Sequence, residues 1–118
     1  MAHPWKDLIV WQKAHALVIN IYQLTGSFPE NERFGLTQQI RRSSVSVAAN
    51  IVEGKSKNTD KEFLAFPYNS RGSLEETRYH LLLSKDLGYT NDKHYEVSEN
   101  LATEVSFLLN KLISTISR

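Results

Sequence analysis

The chain has 118 residues, with 14 Lys and Arg, 13 Asp and Glu, and no cysteine. This length suits one hydrophobic core, and we expect residues 1–118 to form a single domain. The absence of cysteine excludes a disulfide framework and thiolate chemistry. The formal net charge of +1 does not by itself indicate nucleic-acid binding. Because the sequence contains neither a membrane-length apolar run nor a signal peptide, we expect a cytoplasmic protein without membrane contact.

The first apolar pattern predicts a helix over residues 7–25, ended by Gly26. Its buried edge repeats at intervals typical of a bundle helix and comprises Val10, Ala14, Leu17, Ile21 and Leu24. A second apolar line lies beside this edge and comprises Trp11, Val18 and Tyr22. So wide an apolar arc fits either a helix central to its own bundle or a contact between subunits, and both interpretations stay open. The second makes Trp11, Val18 and Tyr22 a candidate oligomer interface.

The next connection spans residues 27–35. Pro29, followed by Glu30 and Glu32, favours a single helical turn. Phe28 and Phe34 are expected to pack this connection against the core.

The second predicted helix covers residues 36–53 and is ended by Gly54. Its apolar edge is interrupted by small residues, which would let a neighbouring helix approach closely. This edge comprises Ile40, Ser43, Ser44, Val47 and Ile51. A polar stripe comprising Arg42, Ser46, Asn50 and Glu53 lies within an arc of about 80°. These side chains can satisfy one another or a partner, so we predict a central helix with a polar stripe beside its packing edge.

The third predicted helix begins at Asp60, where Thr59 and Glu62 form a capping box, and is ended by Gly88. Its apolar edge comprises Phe63, Phe66, Leu74, Thr77, Leu81 and Leu82. Pro67 lies inside this pattern at a cost of roughly 3 kcal/mol, so we predict one helix with a kink near Pro67. Gly72 and Ser73 offer a flat surface for the second helix, and Glu75 is a further candidate partner of the polar stripe.

The fourth predicted helix covers residues 92–117. Its expected edge comprises Val97, Leu101, Val105, Leu108, Leu112 and Ile116, widened by Phe107, Leu109 and Ile113. Four long helices with short connections predict an all-α, antiparallel up-down-up-down four-helix bundle.

Several motifs occur in an order typical of one family. They are Val10-Trp11-Gln12-Lys13-Ala14, Phe28-Pro29 with Glu32, Phe34-Gly35-Leu36, Gln39-Ile40-Arg41-Arg42-Ser43, Asn50-Ile51-Val52-Glu53-Gly54, Gly72-Ser73-Leu74-Glu75-Glu76 and Leu87-Gly88-Tyr89. In these motifs the chain resembles the four-helix-bundle proteins encoded in intervening sequences of bacterial 23S ribosomal RNA genes, often labelled S23 ribosomal proteins. The resemblance implies assembly as a ring, expected to be a homopentamer, and implies no established biochemical activity. The chain is also distantly similar to the pentameric accessory protein of diversity-generating retroelements, which works with a reverse transcriptase and RNA.

The sequence offers no catalytic or metal-binding pattern. None of the four histidines lies three or four residues from another, so no metal motif is present. Ser43, Ser44 and Ser46 have no histidine or lysine at an activating helical spacing. Glu53, Glu75 and Glu76 are better explained as ion-pair partners of Arg42 than as a catalytic carboxylate pair. We therefore expect no enzyme, no cofactor and no small-molecule substrate.

The distribution of charge permits a modest basic face. The candidate nucleic-acid contacts are Lys6, Lys13, Arg41, Arg42, Lys55, Lys57 and Lys61. Arg41 and Arg42 point about 100° apart on a helix, and pairing with a glutamate, contact with phosphate and plain solvation all stay open. Two functions fit: a ring-forming oligomer that associates with RNA through a repeated basic strip, or a scaffold that binds another protein without nucleic acid.

Overall fold

The computed structural model describes residues 3–117. Its elements are α1 (Ile9–Thr25), a short 3-10 turn (Glu30–Glu32), α2 (Leu36–Lys55), α3 (Asp60–Asp86) and α4 (Asp92–Ile116), and the described residues contain no strand. Each helix contacts the next one along the chain, α4 returns to contact α1, and the diagonal pairs do not meet. The all-α four-helix architecture predicted from the sequence is confirmed.

Contacts between neighbouring helices show that each pair is antiparallel. Across α1 and α4, Lys13 lies near Glu104, and Asn20, further along α1, meets Ser98, further back on α4. The same reversal of order holds across α2 and α3, where Ser43 meets Thr77 and Val47 meets Ser70. It also holds across α3 and α4, where Arg71 meets Asn110 and Arg78 meets Glu99. Across α1 and α2, Arg41 near the start of α2 meets Thr25 at the end of α1. The bundle measures 44 × 26 × 21 Å.

The core is formed by the edges that apolar spacing predicted for α1 and α2. The α1 edge is buried throughout, and so are Ile40, Val47 and Ile51 of α2. Leu74 and Leu81 of α3 face them and are fully buried as well. Helical periodicity therefore located most of the core directly.

The helix ends follow local hydrogen bonding. The hydroxyl of Thr59 accepts a bond from the Glu62 N–H at 3.2 Å and starts α3, as predicted. At the end of α3, Gly88 has a φ of 78°, and the N–H of Tyr89 donates to the Ser84 carbonyl at 2.9 Å, which is the Schellman geometry. Gly26 also follows its helix directly, but its φ of −59° is right-handed, so α1 ends without a left-handed glycine.

The connection between α1 and α2 contains the expected single turn, at Glu30–Glu32. Phe28 is half-buried, and its ring centroid lies 5.6 Å from that of Tyr89. The prediction for Phe34 was wrong: 79% of this residue is exposed, and its ring lies 5.2 Å from the Arg33 guanidinium instead of packing on the core.

Two glycines have roles that differ from those predicted. Gly54 does not stop α2, which continues to Lys55; it is buried where α2 meets α3. A Cβ at this position would lie 2.8 Å from the Phe66 Cβ and 3.0 Å from the Phe63 ring. Gly72 is exposed, and a Cβ there would meet nothing within 4 Å, so the predicted flat surface at Gly72 is not where α2 approaches.

The later helices also depart from the predicted edges. α3 runs through the buried Pro67 as one helix, while the kink near Pro67 stays a prediction. In α3 Leu82 is exposed, contrary to expectation. In α4 the buried positions are Ser98, Ala102, Val105, Leu109 and Ile113. Apolar residues surround so much of α4 that spacing alone did not identify its inner side, and the predicted members Val97 and Phe107 are exposed.

We predict opposite effects of alanine at the two glycines. Both positions are helical, so Gly→Ala should gain about 0.5–1 kcal/mol of helix stability at each. Gly72→Ala should keep this gain, whereas Gly54→Ala should lose about 1–3 kcal/mol through overpacking against Phe63 and Phe66. The measurement is the free energy of unfolding in urea at one protein concentration. Equal stability of the two variants would contradict the close contact at Gly54.

Candidate functional site

Hydroxyl groups line the contact between α2 and α3. The Thr77 hydroxyl donates to Ser43 Oγ at 2.8 Å, and the Ser70 hydroxyl donates to the Val47 carbonyl at 2.7 Å. Ser46 Oγ and Ser73 Oγ lie 2.9 Å apart. Within residues 3–117, no buried side-chain nitrogen or oxygen lacks a hydrogen-bond partner. The small residues of α2 thus let α3 approach while every polar group between the helices is satisfied.

The structure brings together only part of the polar stripe. Asn50 donates to the carbonyl and the hydroxyl of Ser46, at 2.8 and 3.1 Å. Arg42 forms an ion pair with Glu76 at the rim of the α2–α3 contact, rather than with Glu75. Glu75 instead pairs with Arg78 of its own helix at 3.4 Å, and Glu53 is exposed on the side of α2 that faces α1.

One arrangement that helical spacing did not foresee joins α2 to α3 at His80. Its Nδ1 lies 3.3 Å from Ser43 Oγ, and its Nε2 lies 3.7 Å from Glu76 Oε2. A serine, a histidine and a carboxylate in this order resemble a catalytic triad. Ser43, however, is fully buried, and its hydroxyl donates to the Ile40 carbonyl at 3.2 Å. A nucleophile needs access to its substrate, so we assign this arrangement a structural role.

The surroundings of His80 disfavour its charged form. Burial lowers the pKa of His80 below its ordinary value of 6.5, Glu76 partly opposes this effect, and the positive charge of Arg42 adds to it. The imidazole is therefore held neutral while it contacts Ser43.

An apolar groove, here named the α1–α2 groove, lies between the first two helices and has a volume of about 470 Å³. Its main side chains are Trp5, Trp11, Val18, Val45, Ala49 and Val52. Aromatic rings contact one another along its α1 side: Trp5 is tilted against Trp11, with ring centroids 4.7 Å apart, and Trp11 stacks on His15, with ring centroids 4.9 Å apart. Two of the candidate interface residues, Trp11 and Val18, line this groove, whereas Tyr22 lies outside it.

A second apolar surface, here named the α1–α4 cleft, lies on the other side of α1. It is lined by Ile9, Phe107 and Leu108, and the ion pair between Lys13 and Glu104, at 2.8 Å, closes its edge. Phe107 lines the cleft with 68% of the residue exposed.

Between the α1–α2 groove and the α1–α4 cleft, the outward face of α1 carries no acidic or basic residue. Lys13 is the one Lys, Arg, Asp or Glu within α1, and Glu104 already pairs with it. The exposed positions of this face are Ile9, Gln12, Ala16, Ile19 and Gln23. A helix whose outward face contacts only water usually carries charged residues there, so this face has the composition of a covered surface.

The seven candidate nucleic-acid contacts do not form one surface. Lys6, Lys55, Lys57 and Lys61 lie where α1 begins and α2 connects to α3, and we name this region the lysine end. Lys13 and Arg42 are engaged by glutamates elsewhere. Arg41 lies toward the opposite end, where its Nε donates to Thr25 Oγ1 at 2.8 Å and its guanidinium lies 4.5 Å from the centroid of the Tyr22 ring.

Metal-binding geometry is not present in the part of the chain that the structure describes, because no three His, Asp or Glu side chains converge there. Of the helices in residues 3–117, none has the length and apolar character to cross a membrane.

Comparison with known proteins identifies relatives over nearly the whole chain. Residues 6–111 match the family described as 23S rRNA-intervening sequence protein. The fold is similar to the crystal structure of a protein with unknown function from the S23 ribosomal protein family of Bacteroides thetaiotaomicron VPI-5482. That similarity has a TM-score of 0.79, 28% sequence identity, and coverage of 89% of this chain and 98% of that chain. No match is found among curated proteins.

The environment of His80 predicts a loss of stability in acid. Because its pKa in the folded chain lies below 6.5, the unfolded chain binds more protons once the pH falls below that value. The free energy of unfolding should therefore be highest above about pH 7 and decrease as the pH falls toward the folded-state pKa. His80→Gln should remove most of this decrease, measured by urea denaturation at about pH 7.5 and pH 5.5 at one protein concentration.

The exposed His94 at the start of α4 provides the control, and His94→Gln should keep the decrease seen in the unchanged protein. If His80→Gln lost as much stability in acid as the unchanged protein does, the buried His80 would not be its source.

Proposed function

Because this chain belongs to the 23S rRNA-intervening sequence protein family, we propose that it is a non-enzymatic accessory protein that assembles into a ring and associates with RNA. The ring is expected to be a homopentamer. The observation that carries the proposal is the uncharged outward face of α1, which lies between two apolar surfaces.

A second copy of the same chain is the occupant that these surfaces favour. The α1–α2 groove and the α1–α4 cleft are both apolar depressions, and Phe107, which lines the cleft, is 68% exposed. Packing the exposed Phe107 of one copy into the groove of the next would remove apolar area from water on both copies. Such a contact uses different surfaces on the two partners, so it is heterologous.

Heterologous contacts lead to rings when successive copies turn by an angle that closes. The α1–α2 groove and the α1–α4 cleft are on adjacent sides of the bundle and share α1 between them. Contacts on adjacent sides change direction at every copy, whereas contacts on opposite sides would extend a straight fibre. This placement favours closure and puts the outward face of α1 near the contacts with both neighbours.

A ring would also strengthen the binding of RNA by the weakly basic surface of each chain. Rotational symmetry repeats the lysine end once per copy on equivalent positions of the ring. A polyanion that contacts several copies gains affinity through multivalency and through the release of its counterions. The four lysines of each copy then contribute to one extended RNA contact.

We predict that the ring depends on both apolar surfaces. Val45→Glu places a charge in the α1–α2 groove, and Phe107→Glu places one on the α1–α4 cleft. Each variant should have the mass of a single chain by light scattering, whereas the unchanged protein should have the mass of several. Tyr79→Glu, at an exposed aromatic outside both surfaces, is the control and should leave the assembly intact.

Mixing the two variants tests whether the contact is heterologous. The Val45→Glu chain keeps its cleft and the Phe107→Glu chain keeps its groove, so one intact contact should form and give dimers without larger rings. Two other outcomes would contradict the proposal: single chains for the unchanged protein at micromolar concentration, or full assembly of either variant. If the unchanged protein has the mass of a single chain, the α1–α2 groove would be available to a different protein. That outcome would favour the scaffold function.

We predict RNA association through the lysine end. Combining Lys55→Glu, Lys57→Glu and Lys61→Glu should reduce retention of a hairpin RNA in filter binding at low salt by at least about tenfold. The slope of log affinity against log salt should become shallower by roughly 2–3, since each lost phosphate contact contributes slightly less than one. Arg71→Glu, on the side of α3 away from the lysine end, is the control. No retention of RNA by the unchanged protein, or equal retention by the triple variant, would contradict this contact.

A further inference from the structure

We propose that a groove at the end of the bundle opposite the lysine end binds one unpaired nucleotide of RNA. This inference rests on the proposed association with RNA and adds a contact that recognises a base. The groove, here named the arginine–aromatic groove, has a volume of about 410 Å³. The aromatic, charged and amide side chains that line it are Tyr22, Arg33, Phe34, Gln38, Arg41 and Arg42.

The fold assembles this groove from three separate segments. Tyr22 comes from the last turns of α1, Arg33 and Phe34 come from the connection, and Arg41 comes from the second turn of α2. Because α1 and α2 are antiparallel neighbours, the end of one lies beside the beginning of the other. The volume is within the range of about 300–1,000 Å³ that is typical of sites for small ligands.

The positive charge of the groove is only partly neutralised. Arg42 is paired with Glu76, and Arg33 lies 3.8 Å from Glu30, with both of those side chains largely exposed. Arg41 has no carboxylate within 4.0 Å among residues 3–117, and its one side-chain hydrogen bond there is to the neutral Thr25 hydroxyl. That bond fixes the guanidinium at the groove and leaves its terminal nitrogens available for an anion.

The nearby carboxylate of Glu32 forms no ion pair with the arginines of the groove within residues 3–117 and is held by two other partners. Its Oε1 accepts a hydrogen bond from the Leu36 N–H at 3.2 Å, and its Oε2 accepts one from the Tyr89 hydroxyl at 2.8 Å. The second bond also raises the pKa of Tyr89, because the hydroxyl would lose its role as donor on ionisation. Glu32 thus leaves Arg41 without a carboxylate partner among the described residues, and Arg41 is the group that can bind an anion in the groove.

Two aromatic rings give the groove flat surfaces. The guanidinium of Arg33 lies 5.2 Å from the centroid of Phe34, and that of Arg41 lies 4.5 Å from the centroid of Tyr22. Phe34 is 79% exposed, so most of its ring is open to a ligand. Aromatic rings and guanidinium planes are the surfaces on which unpaired bases stack.

This combination favours an unpaired nucleotide over other anions. An acidic peptide would be recognised by the charge of the arginines and would gain nothing specific from an exposed phenylalanine. A base in a duplex is stacked on its neighbours and does not reach a ring on the protein surface, whereas an unpaired base is free to stack. The nucleotide supplies both required parts, a flat base for Phe34 or Tyr22 and a phosphate for Arg41.

Fluorescence anisotropy with two probes tests the groove. The first probe is a fluorescein-labelled single-stranded RNA of about 12 nucleotides, and the second is the same strand annealed to its complement. Phe34→Ala should weaken binding of the single strand about tenfold and leave binding of the duplex unchanged, since a stacked base contributes about that factor. Arg41→Lys, which keeps the charge but loses the planar group, should also weaken single-strand binding.

The chain offers a matched control on α3. There Arg71 lies 4.9 Å from the ring centroid of the exposed Tyr68, which is a similar pair without neighbouring arginines. Tyr68→Ala should leave binding of both probes within about twofold of the unchanged protein. Because Phe34 is so exposed, its removal should not change the melting temperature, and a thermal melt of each variant checks this.

The position of the contact can be measured directly. Ultraviolet cross-linking of a 4-thiouridine-containing single strand, followed by trypsin digestion and mass spectrometry, should modify the peptide covering residues 34–41. Cross-links confined to peptides of the lysine end would overturn the inference.

The outcomes separate this inference from the proposed function. If Phe34→Ala binds the single strand as the unchanged protein does, the inference is wrong, while the loss of binding in the triple lysine variant would still support RNA association. If Phe34→Ala loses binding and the triple lysine variant does not, the result supports nucleotide binding in the arginine–aromatic groove and contradicts an RNA contact at the lysine end. If the unchanged protein binds neither probe, both fail. Equal competition by a polyglutamate peptide of matched charge would also overturn the assignment to a nucleotide.

Discussion

The close contact between α2 and α3 is the interaction on which the arrangement of this bundle depends. It is made by hydroxyl side chains such as Ser43 and Thr77 and by Gly54, with larger apolar residues on either side. Small residues bring the two backbones near each other, and the hydroxyl groups satisfy one another there without water. The larger, charged side chains Arg42 and Glu76 then have no space between the helices and pair at the rim.

This contact also determines what α2 presents elsewhere. With one side of α2 fixed against α3, Val45, Ala49 and Val52 face α1 and complete the α1–α2 groove. Arg41, one position before Arg42, is turned to the end of α1, where Thr25 and Tyr22 hold it. The α1–α2 groove, proposed as a self-assembly surface, and the arginine–aromatic groove are thus consequences of one helix orientation, although their chemistry differs.

The sequence predicted those features that depend on neighbours along the helix. Spacing found the buried edge of α1, and the capping pattern at Thr59 found the start of α3. It did not predict features that depend on which side of a helix meets which partner. The close approach predicted at Gly72 occurs at Gly54 instead, because the sequence alone does not distinguish a glycine at a close contact from a glycine exposed to water.

In the candidate site, too, the sequence indicated single residues but not the contacts between helices. Arg41 and Arg42 were recognised as candidates from their charge, but their different partners follow from the position of α1 and α3. Ser43 and His80 are 37 residues apart and meet only across two helices, so no helical spacing indicated their contact. Phe28 and Phe34 were both expected to pack on the core, but only Phe28 finds a partner there, Tyr89, while Phe34 is exposed.

The two sides of the bundle differ in whether their charged side chains are already paired within the chain. On the α3–α4 side, Arg78 makes hydrogen bonds of 3.1 and 2.8 Å to Glu99, which raise the pKa of the guanidinium, and Arg71 donates to Asn110. These charged groups already have partners within the chain. Burying them under another protein would cost desolvation free energy and would form few new ion pairs in return. The outward face of α1 has no such pairs to disrupt. The lower cost of desolvation favours the α1 side over the α3–α4 side for the proposed assembly, although Tyr79, Leu82 and Val97 are exposed on the α3–α4 side.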